Sequence, residues 1–152
     1  MTAQDPFGLQ RFVQAQDAGG TWEAALRELR AGRKTTHWMW FVFPQLAGLG
    51  RSATARRYAL RSADEARAYL AHPVLGPRLV ACAGALLALD ACDPVAVLGS
   101  TDAQKLRSSM TLFAVVAPGE PAFRAVLDRC FAGREDPLTV TLLDGTAPPT
   151  AG

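Results

Sequence analysis

The sequence predicts an all-α fold: one compact domain of about seven to eight helices, several of them short, around a central buried helix near residues 74–90. Three observations lead there. Apolar residues recur at three- and four-residue intervals in one segment after another. The segments are bounded by Asp-Pro, Ser-x-x-Glu and Gly signals of helix ends. No Asn-Gly or Asp-Gly turn stands between alternating apolar runs, Asp144-Gly145 near the C-terminus excepted. A chain of 152 residues, 49% hydrophobic and 20% charged, buries one core without metal or disulfide staples and does not fit two full domains. The expected domain spans 5–143, and 144–152, small, polar and proline-containing, is expected to be a mobile tail.

The elements follow in order. Asp5-Pro6 supplies a cap and a first-turn proline, and Phe7, Leu9, Phe12 and Val13 recur until Gly19-Gly20 stops the pattern. Thr21 is expected to cap a second helix through Trp22, Ala25, Leu26 and Leu29, ended by Gly32 in a left-handed C-cap. His37-Trp38-Met39-Trp40-Phe41-Val42-Phe43 has the aromatic composition of a strand. A lone strand leaves its backbone unpaired, so a short buried helix stopped by Pro44 is favoured. Ser62 and Glu65 form a capping-box pattern for a helix that ends near His72-Pro73. Val74 to Leu89 is apolar on more than one face, as a buried helix is. Asp93-Pro94 opens a short helix closed by Gly99; Ser100 or Thr101 caps the next, through Leu106, Met110 and Phe113. Glu120-Pro121 and Asp136-Pro137 open the last two.

Charge and cysteine usage narrow the function classes. Net charge is +2, with 11 Lys and Arg against 6 Asp and Glu in residues 1–80 and 5 against 8 in residues 81–152. Arg27, Arg30 and Lys34 share a helical face, and Arg51, Arg56, Arg57 and Arg61 form a second group that can meet an anion. Duplex DNA is disfavoured by the small charge and the lack of a helix-turn-helix pattern. Cys82, Cys92 and Cys130 are odd in number and lack CxxC spacing, and no apolar N-terminal stretch precedes the domain, so free thiols and a cytoplasmic protein are expected. The longest apolar stretch, Leu79 to Leu89, is too short to span a membrane. His37 and His72 have no metal-ligand spacing, so no metal site and no cofactor are expected.

Three constellations bear on chemistry. Gly48-Leu49-Gly50-Arg51-Ser52-Ala53 matches the GxGxxA spacing of dinucleotide sites. Its context lacks the strand and the βαβ repeat, leaving a capped loop whose helix start at Ser52, with Arg51, can hold a phosphate. Lys105-Leu106-Arg107-Ser108-Ser109-Met110-Thr111 sets a lysine within one helical turn of two hydroxyls, a phosphate site or a Ser-Lys pair. The plain alternative is that the hydroxyls bond back to the i−4 carbonyls and Lys105 is solvated. Trp22, Trp38 and Trp40 supply aromatic faces for core or ligand, and Trp38 and Trp40 lie between His37 and Gln45.

DPFGLQRFVQAQ, GRKTTHWMWFVFPQLAGLGRS, AYLAHPVLGPRL and KLRSSMTLFAVV together resemble the bacterial domain-of-unknown-function family 1810, also called Rv1873-like, over about residues 5–143. The resemblance implies a single, mainly helical domain and no established activity. A calpastatin label sometimes given to members implies a long disordered repeat inhibitor, which the capped, periodic pattern of this chain does not match.

Among the positions matching the family's pattern, those that no core requires are Lys34, His37, Trp38, Gln45, Lys105, Ser108, Ser109 and Thr111. The leading expectation is that the two blocks converge on one pocket for an anionic small molecule, a nucleotide or an ADP-ribose-like group. Lys34 and Lys105 would supply charge and Trp38 stacking, with Trp40, Gln45 and Thr111 completing the ligand-binding set. In an enzymatic version His37 is the general acid-base and Ser108 or Ser109 positions the reacting group, for metal-independent hydrolysis or group transfer. The competing expectation is a non-enzymatic module that recognises a protein or RNA through its basic groups or an apolar groove.

Overall fold

The computed structural model describes residues 5–144, and the expected tail at 145–152 lies outside the described residues. Among the described residues there is no β-strand, and ten α-helical segments pack around one core. They are α1 (Gln10–Asp17), α2 (Thr21–Ala31), α3 (Met39–Val42), α4 (Ala53–Arg57), α5 (Ala63–Ala71), α6 (Leu75–Leu87), α7 (Pro94–Leu98), α8 (Ser100–Val116), α9 (Pro121–Phe131) and α10 (Pro137–Leu143). Three of them have five residues or fewer.

Most helix ends follow from their signals. The Asp5 carboxylate accepts from the Leu9 and Gln10 amides at 2.7 and 3.0 Å, so it caps α1 from beyond an intervening turn. Gly20 rather than Thr21 occupies the N-cap position of α2; its φ of 70° admits the sharp entry from a 3-10 turn, and the Thr21 hydroxyl turns back to donate to the Ala18 carbonyl. Gly32 ends α2 at φ 75° as expected. Ser62 accepts from the Glu65 amide, but the Glu65 carboxylate returns to the Arg61 amide and pairs with Arg11 instead of closing on Ser62. Asp93 and Glu120 cap α7 and α9.

The middle of the aromatic run, Met39–Val42, is helical rather than a strand, with Trp38 and Phe43 as its non-helical flanks. Gln16 of α1 is buried and its amide donates to the Phe41 carbonyl at 2.7 Å and contacts the Tyr69 hydroxyl at 3.1 Å. A carbonyl at the end of a short helix has no intrahelical partner, and Gln16 supplies one. Phe43 and Pro44 are buried as the chain leaves α3. Residues 45–47 then run beside Leu60, with Ala47 N–H on Leu60 O at 2.7 Å and Leu60 N–H on Gln45 O at 2.9 Å.

α6 is buried through Leu75, Gly76, Leu79, Cys82, Ala83, Ala85 and Leu86, and packs on α2, α5 and α9. α8 is the second buried axis: the stretch from Ser108 to Ala114 is buried all round, against α5, α7, α9 and α10. Among the described residues no single helix is long and apolar enough to cross a membrane.

One expectation is corrected. Cys92 and Cys130 form a disulfide that ties the segment after α6 to the end of α9; only the Cys82 thiol is unbridged, and burial pushes it up to about 12. Tertiary packing brings together two cysteines 38 positions apart, a relation that local spacing does not reveal. Disulfides persist mainly in oxidising compartments, so the free-thiol argument for a cytoplasmic placement falls.

Candidate functional site

The segment from Lys34 to Gln45 is held at both ends. After Gly32 the Lys34 amide donates to the Val97 carbonyl at 2.8 Å, pinning the loop to α7. Beneath it lies Glu28, a buried carboxylate in the last turns of α2. It accepts from the Thr35 and Thr36 amides at 2.7 and 2.9 Å, the Thr36 hydroxyl at 2.6 Å and the Trp38 indole N–H at 3.0 Å. Burial by itself raises a carboxyl pKa, but these four donors prevail and hold Glu28 at about 2. Sequence reasoning missed this residue. Its signal was an acidic side chain on the apolar face of α2, next to Leu29 and followed by Thr35-Thr36.

Above that loop is a cleft of about 180 Å³, lined in part by Lys34, His37, Trp38, Trp40, Asp102 and Lys105. Its centre is one carboxylate between two ammonium groups: Asp102 Oδ2 is 2.9 Å from Lys34 Nζ and Oδ1 is 3.0 Å from Lys105 Nζ. Burial raises the Asp102 carboxyl pKa, but the lysine hydrogen bonds outweigh it and leave it below its ordinary value. Lys34 Nζ lies 5.2 Å from the Trp38 ring centroid and Lys105 Nζ 4.0 Å from that of Trp40, both within cation–π range. Lys105 is therefore ion-paired and largely covered, not solvated. His37 is exposed at the rim. Trp38 lines the cleft but is 1% exposed, with its N–H committed to Glu28, while Trp40 is half-buried and presents more of its indole.

Trp40 also lines a second cavity of about 240 Å³ that contains Gln45. Gln45 is buried, its Nε2 has no hydrogen-bond partner, and its amide makes no hydrogen bond with any described residue.

The other predicted site residues are elsewhere. Ser108 Oγ lies 3.1 Å from the Gln104 carbonyl and 2.9 Å from Asp136 Oδ2, at the start of α10. The Thr111 hydroxyl donates to the Arg107 carbonyl and accepts from the Asp136 amide at 2.9 Å. Ser109 is fully buried, with no partner for its hydroxyl among the described residues. Of the predicted site residues in the second block, Lys105 is the one that lines the cleft. Asp102, one turn back on α8, holds Lys105, while Asp136 holds Ser108, which separates the lysine from the hydroxyls.

The glycines of the GxGxxA match have local reasons. Gly48 has φ 100°, and a Cβ at Gly50 would lie 2.6 Å from Ala55 Cβ and 3.2 Å from Trp40 Cη2. Ser52 caps α4 through the Ala55 amide, and α4 has only five residues. Among the described residues no group of three or more His, Cys, Asp or Glu has metal-binding geometry.

Comparison with solved structures finds the crystal structure of the conserved hypothetical protein Rv1873 from Mycobacterium tuberculosis, at 48% identity over 92% of this chain and 99% of that one, with a TM-score of 0.89. No curated protein matches. A family model described as "Protein of unknown function (DUF1810)" matches residues 6–143, and with nearly the whole helical domain inside that match, the chain belongs to the DUF1810 family.

Proposed function

We propose that the chain binds an anionic small molecule in the cleft between Lys34 and Lys105. The observation that carries this reading is the sharing of one carboxylate by two lysines from separate elements, which leaves one positive charge in excess between indole walls. Low-dielectric walls strengthen the attraction of that excess charge for an anion. A cleft of about 180 Å³ is smaller than the roughly 300 Å³ where drug-sized sites begin, so it suits the phosphate-bearing end of a ligand rather than a whole nucleotide. His37 at the rim is the one acid-base side chain of the predicted catalytic set that borders the cleft. Turnover, where it occurs, runs through His37 and not through Ser108 or Ser109.

The test is a thermal-shift series with inorganic phosphate, ribose 5-phosphate, AMP and ADP-ribose at low ionic strength. A probe at ~100 times its Kd stabilises by ~2.7 kcal/mol, and the shift shrinks with added salt and disappears in Lys105→Met. Absence of a shift with every phosphate-bearing probe overturns the reading.

A further inference from the structure

The Gln45 cavity lies outside the anion cleft but shares Trp40 with it. Its buried amide is the unusual feature. Buried polar groups are almost always hydrogen-bonded, because removing an unpaired amide from water carries a full desolvation penalty. Here Gln45 as a residue is 92% buried and its Nε2 has no partner among the described residues, although the Gln45 backbone is well held through its carbonyl and Leu60. An apolar side chain of the same length would satisfy the packing. An incoming polar group can offer this amide the partners it lacks within the chain.

We propose that this cavity binds the 6-aminopurine end of an adenine nucleotide whose phosphate lies in the lysine cleft, a proposal that rests on the anion-cleft reading for the phosphate. A primary amide offers one donor and one acceptor side by side and pairs bidentately with an amino group next to a ring nitrogen, the edge that adenine presents. Trp40 and Tyr58 line the same cavity and supply aromatic surface for the ring. At about 240 Å³ the cavity suits one heterocycle. Its close fit to Trp40 is set by Gly50, where any side chain would press on the indole. Arg56 and Arg61, also on the lining, form no ion pair with a described residue and add to the attraction for an anionic ligand.

The experiment is titration calorimetry of the full chain and of Gln45→Met with AMP, ribose 5-phosphate and adenosine. AMP is expected to bind at least about tenfold tighter than ribose 5-phosphate, as one bidentate base contact discriminates. Gln45→Met brings AMP down to the affinity of ribose 5-phosphate, leaves ribose 5-phosphate unchanged, and unfolds at the same or a higher temperature, because it removes an unpaired amide. Equal binding of AMP and ribose 5-phosphate, or an unchanged ratio in Gln45→Met, overturns the proposal while the lysine cleft stands. A lower unfolding temperature for Gln45→Met also overturns it, by showing that the amide has a structural partner. Where no phosphate-bearing probe binds, the anion reading has failed and adenosine decides the cavity. Adenosine binding weakened about tenfold by Gln45→Met supports the assignment, and no adenosine binding overturns it.

Discussion

Glu28 shows how a single side chain organises the site. Its carboxylate collects four donors from the segment that leads to Trp38, so it positions the loop without entering the cleft. Its pKa falls from 4.5 to about 2 on folding, so its stabilisation is fully present above pH ~4.5 and is lost as pH falls through about 2. A shift of that size corresponds to roughly 3 kcal/mol. Urea denaturation between pH 5 and pH 2 should show the loss, and Glu28→Gln should lower stability at pH 7 by roughly 2 kcal/mol and flatten this acid limb. An unchanged acid limb in the variant contradicts the assignment. Asp102 acts in the opposite sense on binding. Asp102→Asn removes the shared counter-charge, so inorganic phosphate is expected to bind several-fold tighter at low salt; weaker binding in a folded variant contradicts an anion cleft. Lys34, His37, Trp40 and Lys105 were legible as site candidates from residue type. Asp102 and Glu28 were not, because an isolated acidic residue in a helix reads as surface until the fold shows what faces it.

At the scale of elements, two junctions set the geometry. α5 and α6 meet in a sharp bend after His72-Pro73, and there Gly76 permits a close approach: an added Cβ would sit 1.9 Å from the Leu70 carbonyl oxygen. Gly76→Ala is expected to cost ~3 kcal/mol or more, because backbone rather than a flexible side chain must yield. Equilibrium denaturation measures it, and a neutral result contradicts the packing. α10 docks on α8 through Asp136, whose carboxylate accepts from Ser108 and Thr139 and whose amide donates to Thr111. Thr111→Val leaves that buried amide unpaired, for a cost of about 1–3 kcal/mol, with no effect on phosphate affinity. A change in affinity at equal fold content would return Thr111 to the binding site. The helix starts at Ser62, Asp93 and Glu120 were legible because a capping residue acts within its own turn, whereas α10 starts at Asp136-Pro137 with no side-chain cap. The α2 start was misread at Thr21 because two consecutive glycines permit a tighter entry than a side-chain cap describes.

Across the whole molecule the Cys92–Cys130 disulfide closes a loop that contains α7, α8 and most of α9, and the Arg129 guanidinium donates to the Leu89 and Asp90 carbonyls near the same junction. With a sequence separation of 38, chain-entropy arguments give about 4 kcal/mol of stabilisation. Reduction should therefore lower the denaturation midpoint, and Cys92→Ala should reproduce the reduced protein's curve without further response to reductant. A midpoint indifferent to reductant contradicts a formed bridge. By itself the sequence determined the all-α class, the single domain and most helix limits, because periodicity and capping are local and act within a few residues. Only the tertiary structure decided that Lys34 and Lys105 share Asp102, that Ser108 and Thr111 serve α10, that the Gln45 amide is left unpartnered and that two distant cysteines join. Each depends on which helix faces lie opposite one another, and that relation is set by packing across the core, which no local pattern encodes.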